Sequence, residues 1–119
     1  MQHELTGTFD LLNARGELNQ RGWARNLVAT YNREQIHASP LRIKEWDYYA
    51  ILAPDYGIAL TISDIGYLAD ITVSWLDFVK KTEVTESVMK PLTFGSLHLP
   101  RTSGEGDVAY HDRRIDLRF

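Results

Sequence analysis

Apolar and polar residues alternate in short runs along this chain, and turn residues separate the runs before any long helical stripe develops. The first run is Leu5 to Leu12, followed by the turn Asn13-Ala14-Arg15-Gly16. Trp23 to Tyr31 is a second run with imperfect alternation. Asn32 to Pro40 is polar, ends at proline and predicts a loop with one helical turn at Arg33 to Ile36. The clearest signal is a hairpin. Leu41 to Leu52 is one arm and Gly57 to Ser63 the other, with Ala53-Pro54-Asp55-Tyr56-Gly57 between them. Proline presets the first turn position, and Gly57 is expected to take a left-handed conformation closing a bulged loop. In the return arm Ile58, Leu60 and Ile62 share one face and Ala59, Thr61 and Ser63 the other.

Ser63-Asp64-Ile65-Gly66 predicts a second turn. Tyr67 to Phe78 fits period two, while Ile65, Leu68, Thr72, Trp75, Leu76 and Val79 also fit a helical stripe. The β-branched Ile71-Thr72-Val73 favours a strand. Lys80 to Met89 reads as a strand exposed on one side, Pro91 to Pro100 as irregular, Arg101 to Gly106 as a loop, and Asp107 to Phe119 as strand again. The fold class is therefore mostly β. About seven strands with short connections form an antiparallel meander that curls into a barrel-like or half-barrel domain spanning residues 1–119. A barrel of about eight strands encloses room for a small ligand. The chain stops in mid-alternation at Phe119. This implies either a tucked last strand or a piece of a longer protein with a raw sheet edge, which invites pairing with another copy.

Composition narrows the function classes. Thirteen Lys and Arg against sixteen Asp and Glu give a net charge of −3, which opposes a basic nucleic-acid-binding face. There is no cysteine, so disulfides, thiol catalysis and cysteine-ligated metals are excluded. No apolar run is long enough to span a bilayer, and the first residues lack signal-peptide character, so a cytoplasmic protein is expected. His3, His37, His98 and His111 form no metal-binding spacing, and no phosphate-binding glycine motif is present. No metal and no cofactor is expected.

The stretches HELTGTFDLLNARGELNQRGWAR, RIKEWDYYAIL, YGIALTISDIGY and VSWLDF, lying within Met1–Arg25, Arg42–Leu52, Tyr56–Tyr67 and Val73–Phe78, resemble the opening portion of the bacterial family called domain of unknown function 2804. KEWDYY and SDIGY carry most of the resemblance. Members of that family are longer than this chain, so the resemblance implies the N-terminal portion of a longer architecture. It also implies similarity to calycin-like β-barrels, the group of lipocalins and carotenoid-hydratase-like proteins. The family brings no established activity, so no catalytic residue carries over.

Three readings of function result. In the first, Trp46, Tyr48 and Trp75 form a wall for a hydrophobic or amphipathic small molecule, against the plain alternative that they are core. In the second, the protein is a hydratase-like or lipid-modifying enzyme in which Asp47 or Asp64 donates a proton; a carboxyl in that role must be kept protonated by burial. The plain alternatives are a solvated Asp47 paired with Arg42 or Lys44, and an Asp64 bonded to its own turn. In the third, the chain is a structural half-domain completed by a second domain or another copy.

Overall fold

The computed structural model describes residues 2–102 and 104–119. The chain divides into two compact units, Met1–Ala38 with Arg101–Glu105, and Ser39–Pro100 with Gly106–Phe119.

The first unit is built mainly of turns. Its strands β1 (Phe9–Asp10) and β2 (Ala29–Thr30) are two residues each and run parallel, with Phe9 opposite Ala29. The sequence pattern predicts two full strands here in an antiparallel arrangement, and both expectations need correcting. The Asn13 side chain forms the turn that the sequence predicts after the first run. Its Oδ1 accepts from the backbone N–H groups of Arg15 (2.8 Å) and Glu17 (3.1 Å), which turns the chain immediately after Leu12. Asn32 caps the single 3-10 turn Arg33–Gln35 by accepting from Glu34 N–H. Ion pairs join Arg25 to Glu4 and Arg101 to Glu34, and Arg25 also lies over the Trp23 ring. None of the unit's described residues is fully buried.

The second unit contains the meander. Strands β3 (Glu45–Leu52), β4 (Tyr56–Asp64), β5 (Leu68–Asp77) and β6 (Thr82–Pro91) form one antiparallel sheet in chain order. The stretch that fits both periods is strand, as its β-branched centre favours. Leu41 to Lys44 lies outside β3, so the first arm of the hairpin is shorter than its sequence pattern indicates. Pro54 and Asp55 form the tip, with Ala53 N–H donating to the Tyr56 carbonyl at 2.8 Å. Gly57 is not the left-handed closing residue. It is a buried strand residue opposite Leu52 and Leu76, and a Cβ there would meet the Leu52 and Phe78 side chains at 3.0 Å. Close packing explains its small side chain. Gly66 does take positive φ (83°), in the β4–β5 turn.

The last stretch is a hairpin and not one strand. β7 (Ala109–His111) pairs with β8 (Asp116–Arg118). Asp112 makes the reversal, its Oδ1 accepting from Arg114 N–H (2.7 Å) and Ile115 N–H (2.8 Å). Those backbone bonds hold its carboxyl below the usual range.

Register assigns each sheet residue to a face, because directly opposed residues point the same way. Ile62, Ile71 and Val88 form one row, and together with Ala69 they are buried beneath Val108, Ile115 and Leu117 of the final hairpin. Leu97, Leu99, Tyr110 and Phe119 complete this core from its margin. Ile62 and Ile71 are essentially inaccessible, and burying each contributes roughly 1.5 to 3 kcal/mol. The described residues form three separate sheets of two, four and two strands, with β3 and β6 at the edges of the largest, and no closed barrel.

Candidate functional site

Alternation along β3 separates the expected site residues. Asp47 lies opposite Ile62, so it continues the core row Ile62–Ile71–Val88 at the edge of the sheet. Trp46 and Tyr48 point from the other face, where they are 64% and 58% exposed. Neither is core. Trp75 lies opposite Ile58 and Val84, on the same face as Asp47, and stacks on Tyr56 with ring centroids 4.9 Å apart. The sheet thus brings Trp46 and Tyr48 together and puts Trp75 on its opposite side.

The Trp46 face has a definite order. One row across the sheet reads Trp46, Ser63, Asp70, Met89, and the next reads Tyr48, Thr61, Thr72, Ser87. Asp70 anchors the centre. Its Oδ1 accepts from the Ser87 hydroxyl at 2.5 Å and its Oδ2 from the Thr72 hydroxyl at 3.1 Å. Ser63 folds flat onto β5, donating to the Asp70 carbonyl (3.1 Å) and accepting from Asp70 N–H (3.3 Å). Further along, the Ser74 and Thr85 hydroxyls bond at 2.7 Å, and Thr85 donates to Glu83. The far end becomes apolar through Leu52 and Leu76 around Gly57. A shallow open depression of about 340 Å³ lies beside it, lined by Leu76, Asp77, Phe78, Lys81, Thr82 and Glu83. It contains none of the candidate site residues Trp46, Asp47, Tyr48, Asp64 and Trp75.

The two carboxylates expected as proton donors have different surroundings. Asp64 is 3% exposed and fully engaged. Its Oδ1 accepts from Gly66 N–H (3.0 Å) and the Thr93 hydroxyl (2.8 Å), and its Oδ2 from Gly95 N–H (2.9 Å). It ties the β4–β5 turn to a loop in which Leu92, Phe94 and His98 all have positive φ. Such backbone costs of order 1 to 3 kcal/mol per residue and needs surrounding bonds to hold it. Asp47 is instead partly covered, with a buried Oδ2 that has no hydrogen-bond partner among the described residues. Burial, and secondarily the charge of Glu45, pushes its carboxyl above the usual range.

Asp70, Ser87 and Met89 escape a reading of the sequence alone. The available signal is the alternation in β5 and β6, which places Asp70, Thr72 and Ser74 on one face and Thr85, Ser87 and Met89 on the same one. Among the described residues no group of three or more metal-ligating side chains converges, and no helix is long and apolar enough to cross a membrane.

No curated protein and no solved structure matches the chain. The sequence model described as domain of unknown function 2804 matches residues 2–119, so the chain belongs to that family, as the KEWDYY and SDIGY stretches indicate.

Proposed function

We propose that this protein is a binding module and that its working surface is the Trp46–Tyr48 face of the four-stranded sheet. The ligand is a hydrophobic or amphipathic small molecule. The observation that carries this reading is the placement of two exposed aromatic rings, two residues apart on one strand, beside an ordered band of hydroxyls and a carboxylate. Large exposed aromatics cost solvation unless something covers them, and their polar neighbours supply orientation. In this reading the sheet is part of a calycin-like half-barrel, and Trp75 contributes from the opposite face to stability and not to the ligand wall.

Native mass spectrometry of gently purified protein tests the proposal. Added mass released by denaturant, and lost from Trp46→Ala and Tyr48→Ala variants that keep their circular dichroism, is the expected result. A homodimer with no added mass favours completion of the open sheet by a second copy instead.

One observation favours an enzymatic second reading. The unpartnered Oδ2 of Asp47 and its upward-pushed carboxyl suit a proton donor for a hydratase-like or lipid-modifying reaction. An NMR titration showing Asp47 ionised throughout the neutral range removes it.

A further inference from the structure

Resting on the reading of the Trp46–Tyr48 face as a binding surface, we infer that its ligand is an amphipathic cation, whose ammonium head sits over Ser63 between the Trp46 ring and the Asp70 carboxylate.

Charge decides the sign of the ligand. Within the four strands, the charged residues on this face are Asp70 and Glu83, both acidic. Two other acids of the same sheet have cations nearby: Asp77 pairs with Lys80 and Glu86 with Arg114. Asp70 has hydroxyl donors from Thr72 and Ser87 and, among the described residues, no cationic partner. Each carboxylate oxygen accepts one side-chain bond there, which leaves acceptor capacity on both. The hydroxyls fix the carboxylate in place without neutralising it.

Geometry decides the position. Neighbouring strands are about 4.8 Å apart, so Trp46 and Asp70, two strands apart, are about 10 Å apart at their backbones. The residue between them is Ser63, whose hydroxyl is turned down onto β5. That leaves a floor with little height between an aromatic wall and an anionic one. An ammonium head there is attracted by the ring face on one side and by the carboxylate on the other. A trimethylated head suits this arrangement because it needs no hydrogen-bond acceptors of its own.

The surroundings decide that the cation is amphipathic. Met89, beyond Asp70 in the same row, is 67% exposed, and its flexible thioether chain adapts to an alkyl group. Tyr48 extends the apolar wall along β3.

The experiment compares three probes of equal chain length by isothermal titration and tryptophan fluorescence, each well below its micelle concentration. They are decyltrimethylammonium, decyl glucoside and decanoate. Wild-type protein is expected to bind the cation at least tenfold more tightly than the neutral or anionic probe. Asp70→Asn keeps the side-chain shape and is expected to remove that preference. Equal binding of cation and glucoside by the wild type, or an unchanged preference in D70N, overturns the cation inference and leaves the binding face standing. Binding of no probe, or binding unaffected by Trp46→Ala and Tyr48→Ala, overturns the face itself and the inference with it. If D70N does not fold, the wild-type ranking of the three probes decides alone.

Discussion

Two adjacent rows of one sheet, Asp47–Ile62–Ile71–Val88 and Trp46–Ser63–Asp70–Met89, differ by a single step along each strand and have opposite environments. In the first, Ile62, Ile71 and Val88 pack with Val108, Ile115 and Leu117 of the final hairpin in the core of the unit. The second presents an aromatic ring and a methionine around a carboxylate held by hydroxyls. The backbone is the same in both rows. Period two lets one set of strands supply stability on one side and recognition on the other. Changes on the two faces should therefore separate into folding effects and binding effects.

The largest expected effect is on the covered side. Ile71→Ala removes an inaccessible side chain from the middle of the core and should lower unfolding free energy by roughly 2 to 5 kcal/mol in urea denaturation. Trp46→Ala, one row away in the fold, should stay within about 0.5 kcal/mol of wild type. Similar losses from both variants would mean that the Trp46 face is packed in solution, and the contrast between faces would collapse.

Asp64→Ala should come next. It strands the N–H groups of Gly66 and Gly95 and the Thr93 hydroxyl, and removes the post that holds the positive-φ loop, at a cost of roughly 2 to 4 kcal/mol. Asp64→Asn should recover part of this, because its carbonyl oxygen still accepts. Loss of ligand binding without loss of stability in Asp64→Ala would identify Asp64 as a site residue.

Smaller effects appear in the pH dependence, where two carboxyls have opposite signs. The Asp47 carboxyl is raised on folding, so the unfolded chain releases this proton first as pH rises. Its contribution thus favours the fold at acid pH and is lost between the unfolded pKa and the higher folded one. Asp47→Asn should flatten stability over that interval. The Asp112 carboxyl is lowered by the Ile115 and Arg114 N–H groups. Its contribution is present above the unfolded pKa and fades as pH falls through the folded value, so Asp112→Asn should flatten the more acidic limb. Thermal melts across pH measure both. A flattening on the same limb for both variants would contradict the opposed environments of Asp47 and Asp112.

The fold is most legible in sequence where alternation is strict and turns are punctuated. Ile58, Leu60 and Ile62 announce β4, and the β-branched Ile71-Thr72-Val73 resolves β5 against a helix. The grouping of Glu45, Asp47 and Tyr49 on one face, with Trp46 and Tyr48 on the other, is also readable from period two alone. Which of those faces is covered is not. The cover comes from Val108, Ile115 and Leu117, far along the chain from β3 and β4, and only long-range packing of the final hairpin selects the side.

The same limit explains the other differences. Trp75 joins Trp46 in composition, but the register of β4 and β5 puts it on the opposite face, and register is a property of pairing and not of one strand. Asp70 reads in sequence as one polar residue in an alternating run. Its place at the centre of the face depends on Ser87, seventeen positions away. The short parallel pair β1–β2 is hidden because both runs have strand composition along their whole length, and nothing local in either marks the two residues that pair.

The chain order of the cover and the covered has a consequence for synthesis. β3 to β6 pair only with sequence neighbours, so the meander closes short loops and forms early. Val108, Ile115 and Leu117 leave the ribosome after all four strands. Until they arrive, Ile62, Ala69, Ile71 and Val88 form a bare apolar strip on a nascent sheet.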